Sequence, residues 1–385
     1  MRTQTDAGHT LQQARENTDA LLRLVKPGYL YERPIAERHR MIFYLGHLEA
    51  FDWNLIGRYA LDAPAFQPEF DQLFAFGIDP PPGELPSDQP SDWPSMHEVQ
   101  AYVQRVRERV DDLFGEAPDQ LRHVAIEHRL MHAETFAYIL HQLPYEQKIS
   151  TGEPRTGEGA KPAGRFVEIP AGVAQLGMDP SQGFGWDNEF PMQCVAVPAF
   201  SAAQHKVTNA EYLEFVKQGA PAPFFWGGSA DRRTFRGMFE EYPLPLHSPV
   251  YCTHDEAHAY AQWRGMRLPT EAEYHRLANG APASRNVNFR HWDPTAVTAD
   301  DDGTERPMQT SGNGWEWTSS LFAGFPGFQP FPFYRNYSEP FFDGRHLVLK
   351  GASPRTAECF LRPSFRNWFR PSYPYVYATF RLVTS

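Results

Sequence analysis

Cysteine is nearly absent: the 385 residues include three, Cys194, Cys252 and Cys359, with no pair at CxxC spacing. That excludes a disulfide framework and a zinc ribbon, leaving histidine and carboxylate as the side chains able to hold a metal. Positive charge is in deficit too. Lysine and arginine number 36 against 47 acidic residues, a net charge of −11 with no short basic run. A nucleic-acid surface would need the opposite footprint, so small substrates or protein partners are expected. No apolar stretch approaches the ~20 residues that span a bilayer. The opening "MRTQTDAGHTLQQAREN" is too polar to hold the apolar segment of a secretory signal. A cytoplasmic protein with no membrane partner is therefore expected.

What the chain does have is 41% hydrophobic and 14% aromatic residues over a length that exceeds one ordinary core, which predicts two domains. Residues 1–146 carry four segments of helical period, at 10–25, 37–61, 97–114 and 119–143, and a four-helix bundle accommodates them economically. Ser95 followed by Glu98 reads as a capping box opening the third. Between the second and third lies "DPPPGELPSDQPSDWPS" (79–95), a proline-broken loop expected to hide neither strand nor helix. Residues 147–164 are polar, glycine-rich and aperiodic, and read as a linker. Residues 165–385 alternate short β-like stretches ("RFVEIPAG", "QCVAVPAFSAAQHKV", "HLVLKGAS", "YATFRLV") with two helical patterns ("NAEYLEFVKQ", "THDEAHAYAQWRG"). That is an α+β pattern held by aromatic side chains.

Within the fourth helical segment, "EHRLMHAET" sets His128 and His132 four residues apart, on one face and one turn from each other. That spacing lets both grip one ion, although such a pair also arises by chance on a solvated face. Glu134 lies about 200° around the helix from His132 and is excluded as a direct ligand. A third ligand must come from another element, and His47 in "YLGHLEAFDWN" is the candidate. Imidazole triads suit iron, zinc, nickel or copper. Glu49, Asp52 and Glu127 are available to accept imidazole N–H bonds.

"HRLMHAE" and "GHLEAFDWN" resemble the DinB-like helical domain of ergothioneine-type sulfoxide synthases. "FGWDNEFP" (184–191), "KVTNAEYLEFV" (206–216), "RLPTEAEYHRLA" (267–278), "GNGWEWTSS" (312–320) and "FRNWFRPSYPYVYATFRLV" resemble the formylglycine-generating-enzyme/sulfatase-modifying fold, a C-type-lectin-like structure. The resemblance implies a mononuclear non-haem Fe(II) enzyme that uses O2 to join a thiol or selenol to C2 of the imidazole of hercynine. It makes His47, His128 and His132 the iron ligands and puts substrate contacts at Asn367 and Trp368 of the second domain, with Phe369 and Arg370 beside them. An indole face also suits the trimethylammonium of hercynine. Arginines 362, 366 and 370 are candidates to hold a carboxylate.

The sequence departs from the family pattern in three places. Phe369 stands where some members have aspartate, which weighs against a thiol-peptide donor. Met131 replaces a glutamine found in some relatives before the last histidine, making the pocket more apolar near the metal. The proton-donating tyrosine has two candidates, Tyr334 and Tyr337, and the 79–95 loop contains none. The pattern is most similar to the selenoneine-synthase branch, which implies a selenosugar donor. A cysteine- or γ-glutamylcysteine-using synthase stands as the alternative, and a zinc- or nickel-dependent DinB-like thiol transferase as a further one. A formylglycine-generating activity would need a C-terminal cysteine pair, where this chain has Cys359 alone. The tryptophans of "GNGWEWTSS" are read as packing.

Overall fold

The computed structural model describes residues 10–78, 84–155 and 159–384; the first five residues of the 79–95 loop and residues 156–158 of the expected linker lie outside them. The chain divides into two compact units, Met1–Gly152 and Glu153–Ser385.

In the first unit all four expected helices are present: α1 (Leu11–Leu22), α2 (Met41–Asp52), α4 (Met96–Leu113) and α5 (Asp119–Gln142). A fifth, α3 (Pro68–Phe76), was not legible in the sequence. It runs for nine residues with proline in its first turn and no side-chain cap, and it stops at Gly77, whose φ of 79° favours glycine. Nine uncapped residues carry too little period to stand out; tertiary packing makes this helix. α2 buries ten of its twelve residues and continues into a π-helical stretch, Trp53–Ala60. It packs against α3, α4 and α5, while α1 packs on α5.

The capping box of α4 is formed. Ser95 Oγ accepts from the Glu98 N–H, and Glu98 accepts from the Ser95 N–H at 2.9 Å. Its apolar residues, Val99, Tyr102, Val103, Val106 and Val110, recur at helical spacing and are buried. Ser95→Ala is expected to lower the unfolding free energy by about 1 kcal/mol, read from urea denaturation. The proline-rich loop holds one short 3-10 turn, Pro90–Asp92, contrary to the expectation of none. The loop is tied down by buried Asp88, which accepts from Arg33, from Arg40 Nε at 3.1 Å and from Trp93 Nε1 at 2.7 Å.

Among its described residues the second unit holds four small sheets. β1 (Phe166–Ile169), β4 (Phe200–Ala203) and β12 (Val383–Thr384) form one; β2 (Gly172–Leu176) and β3 (Gln193–Val197) form a hairpin; β5 (Trp226–Ser229), β6 (Arg232–Arg236) and β7 (Glu241–Pro243) form a third. The fourth runs β10-β9-β8-β11, with β8 (Gly314–Leu321), β9 (Leu347–Ala352) and β10 (Asn367–Phe369) antiparallel and β11 (Ala378–Thr379) parallel to β8. Three helices, α6 (Asn209–Lys217), α7 (His254–Trp263) and α8 (Glu271–Ala278), each start with a Thr-x-x-Glu capping box, at Thr208, Thr253 and Thr270. The first two match the expected patterns; α8 is additional to them and has the same start signal in "RLPTEAEYHRLA".

Trp315 and Trp317 of β8 are buried, and the Trp317 indole N–H donates to the Cys252 carbonyl at 2.9 Å. Both are core side chains. Among the described residues no helix is long and apolar enough to cross a membrane.

Candidate metal centre

Three histidines from two helices meet in the first unit. His47 comes from α2, His128 and His132 from α5, and each offers a ring nitrogen such that all three lie within 4.8 Å of one another. Ring centroids are 5.3 Å apart for His47 and His128, 4.8 Å for His47 and His132, and 4.5 Å for His128 and His132. No carboxylate belongs to the group.

The rings are held from behind. On α2, Phe43, His47 and Phe51 fall four residues apart on one row, a spacing visible in "FYLGHLEAF". Phe43 stacks on His47 with centroids 4.7 Å apart, and Phe51 lies flat on His128 at 3.4 Å and 10°. His47 Nδ1 sits 2.7 Å from the carbonyl oxygen of Phe74, on α3. A carbonyl only accepts, so Nδ1 carries the proton and Nε2 keeps its lone pair. α3 approaches closely because position 46 is glycine: a Cβ there would lie 2.3 Å from the Phe74 ring.

Burial also sets the charge of the cluster. It draws the pKa of His47 down to about 4, while burial followed by the neighbouring imidazoles draws His128 and His132 well below the ordinary value. All three are uncharged at neutral pH, the form in which imidazole binds metal. His132 Nδ1 is buried with no hydrogen-bond partner among the described residues, a cost that an ion or its water would remove. The donor set therefore fits a divalent transition metal.

Of the carboxylates expected to support the imidazoles, Glu49 and Asp52 are engaged by arginines instead. Glu49 accepts from Arg107 and Arg129 at 2.9 and 3.0 Å, and Asp52 from Arg129 at 2.6 Å. Two and five residues beyond His47, at about 100° per residue, these side chains face away from it. Met131 precedes His132 on α5 and is half-buried.

In the second unit, Tyr334, Tyr337 and Trp368 come together. Tyr337 packs on Trp186 at 4.1 Å, 5.6 Å from Tyr334 and edge-on to Trp368 at 5.4 Å. Trp368 stacks on Phe322 at 4.1 Å and 6°. Burial, then the Asp187 carboxylate, pushes Tyr334 up to about 12, so its hydroxyl keeps its proton at neutral pH. Asn367 and Phe369 flank Trp368 on β10 and take the opposite face of the strand; Phe369 stacks on Tyr373 at 5.3 Å. The Asn367 side-chain oxygen accepts from the Trp368 N–H at 2.9 Å. Two of the three candidate arginines are committed elsewhere. Arg362 pairs with Glu189 and Arg366 with Glu271, while Arg370 is exposed with no ion pair among the described residues.

Comparison with known proteins matches residues 10–143 to the DinB superfamily and residues 153–304 to the sulfatase-modifying factor enzyme 1-like domain. The chain is 33% identical over 335 residues to a hercynine oxygenase of Mycolicibacterium smegmatis, covering 74% of this chain and 77% of that protein. It is 31% identical to a hercynine oxygenase of Mycolicibacterium thermoresistibile, covering 86% and 83%. It is 27% identical to ergothioneine biosynthesis protein 1 of Neurospora crassa, covering 92% and 55%.

Proposed function

Because this chain belongs to the hercynine oxygenase family, we propose that it is an Fe(II)- and O2-dependent enzyme joining a chalcogen to C2 of the imidazole of hercynine. The observation that carries this reading is the convergence of three uncharged imidazoles, two buried and His132 half-buried, with no carboxylate among them. His47, His128 and His132 would hold the metal and leave positions open for substrates. Bound there, iron supplies the binding and reduction of O2 next to the chalcogen donor.

For a thiol donor the reaction balances as RSH + hercynine C2–H + O2 giving a C2 sulfoxide and water. Carbon–sulfur bond formation and sulfur oxidation each release two electrons, and O2 takes up all four. The work left to the protein is placement and proton control. His47 Nδ1 is engaged by the Phe74 carbonyl, which orients Nε2 toward the other two rings. Phe43 and Phe51 shield the imidazoles with apolar surface. In the second unit, Tyr334 or Tyr337 is the proposed proton donor, and Asn367, Trp368, Phe369 and Arg370 the proposed recognition residues.

We assign the donor as a selenosugar, on the apolar Met131 beside His132 and on Phe369 in place of a polar residue. A selenol is more acidic than a thiol and its selenolate more nucleophilic, so it needs less acid assistance. The sulfur reading, with cysteine or γ-glutamylcysteine as donor, is favoured by the relatives' names. One experiment decides between them. The Fe(II)-loaded protein is incubated with hercynine and O2 while selenoglucose, cysteine and γ-glutamylcysteine are offered in parallel, and products are read by mass. A selenium adduct at C2 is expected to form fastest, with O2 consumed under Fe(II) and not under Zn(II). Turnover with Zn(II) and no O2 uptake would instead identify a thiol transferase. A folded, iron-loaded protein giving no C2 adduct overturns the proposal.

A further inference from the structure

The second unit contains a cavity of about 640 Å3, within the size range of small-molecule sites. Its walls include Tyr274, His275 and Arg276 of α8, Thr310 ahead of β8, Lys350 of β9 and Arg362. No carboxylate is among its described lining residues, in a chain whose net charge is −11.

The local charges do not cancel. Behind the wall, Glu189 takes a two-pronged bond from Arg362 at 2.9 and 2.6 Å. Glu271 takes another from Arg366 at 2.9 and 3.2 Å. Lys350 donates to the carbonyls of Pro363 and Phe365 and stays 3.9 Å from Glu271. Arg276 has no carboxylate partner among the described residues; its Nη2 donates to the Pro170 carbonyl at 3.0 Å. Its guanidinium lies over Gly172, where a Cβ would come within 2.6 Å. Four cations, Lys350, Arg362, Arg366 and Arg276, thus face two carboxylates, an excess of two positive charges.

Two buried polar atoms have no partner among the described residues. They are Arg276 Nε and His275 Nε2. They belong to neighbouring residues of one helix that both line the cavity, and each of the two atoms is itself closed off from solvent. Burial and the nearby Lys350 and Arg366 charges draw the His275 pKa down to about 2, so this imidazole adds no charge.

We propose that this cavity binds a phosphate-type oxyanion, free or as a small monoester, through the guanidinium of Arg276. The match is one of charge and size. A phosphate monoester carries about −1.5 to −2 at neutral pH, the magnitude of the local excess, and accepts charge-assisted bonds from a guanidinium. A carboxylate would neutralise half of it. This inference is independent of the hercynine reading, because every residue in it belongs to the second unit and none is a proposed metal ligand or proton donor.

The test uses the full-length protein and reads binding, not turnover. Inorganic phosphate, glycerol phosphate and acetate are titrated by calorimetry at matched ionic strength in chloride, with thermal midpoints followed in parallel. Phosphate or glycerol phosphate is expected to bind and raise the midpoint. Tighter binding by the ester marks a monoester site, and equal or tighter binding by inorganic phosphate marks a free-anion site. Arg276→Gln should weaken either by about tenfold or more, with Arg276→Lys recovering part of the loss. Absence of binding beyond chloride, acetate binding as tightly as phosphate, or unchanged affinity in a folded Arg276→Gln protein would each overturn the assignment. Should the glutamine variant not fold, the lysine variant, which keeps the charge and loses the fork, carries the comparison.

Discussion

His128→Ala is expected to abolish hercynine-dependent O2 uptake and to weaken divalent-metal binding by well over about 100-fold, because even second-sphere changes around metal-bound histidines cost about 10- to 100-fold. Titration with Co(II), followed by its visible absorption, separates metal loss from loss of chemistry alone. The same substitution removes the ring that Phe51 covers at 3.4 Å, so some stability is lost too. The ion network beneath it, with Arg129 bonded to Glu49 and Asp52, stays in place. A variant that folds, as judged by circular dichroism, and still binds Co(II) with unchanged affinity and spectrum would remove the three-histidine centre from consideration.

Gly46→Ala tests the same centre from a residue that touches no metal. Its new methyl group would lie 2.3 Å from the Phe74 ring, so either that ring or the whole of α3 must move. Movement of α3 breaks the 2.7 Å contact between the Phe74 carbonyl and His47 Nδ1. The tautomer of His47 is then no longer imposed. The expected result is a 10- to 100-fold lower metal affinity, to order of magnitude, with about 1–3 kcal/mol of destabilisation from the crowded contact. Pairing it with Phe74→Ala, which makes room for the methyl group while keeping the backbone carbonyl, should recover much of the metal affinity without restoring all the stability. If Gly46→Ala loses stability and keeps its Co(II) affinity and spectrum, α3 does not orient His47.

Local periodicity and chemistry carried much of the reading. The four long helices of the first unit follow from apolar residues recurring at helical spacing, and the Ser95–Glu98 cap follows from residue types that bond to their own backbone. The exclusion of Glu134 and the pairing of His128 with His132 follow from helical rotation alone, and His47 stood out on a neighbouring segment. The motifs of the second unit were sufficient for its fold, as the match of residues 153–304 to the sulfatase-modifying factor enzyme 1-like domain bears out.

What tertiary structure alone decided depends on groups that have no signature in a sequence. A backbone carbonyl looks the same at every position, so nothing in "PEFDQLFAF" announces that Phe74 meets His47. Gly46 reads as a poor helix residue until the ring that needs its missing side chain is in view. Glu49 and Asp52 are close to His47 along the chain, yet helix rotation and the arrival of Arg107 and Arg129 from α4 and α5 turn them into ion-pair partners. In β10 the alternation of the strand separates Trp368 from Asn367 and Phe369, residues that adjacency in sequence had grouped. The sequence by itself determined which side chains could form a metal centre; packing between helices distant in the chain decided how each imidazole is held, because orientation is a property of neighbours in space.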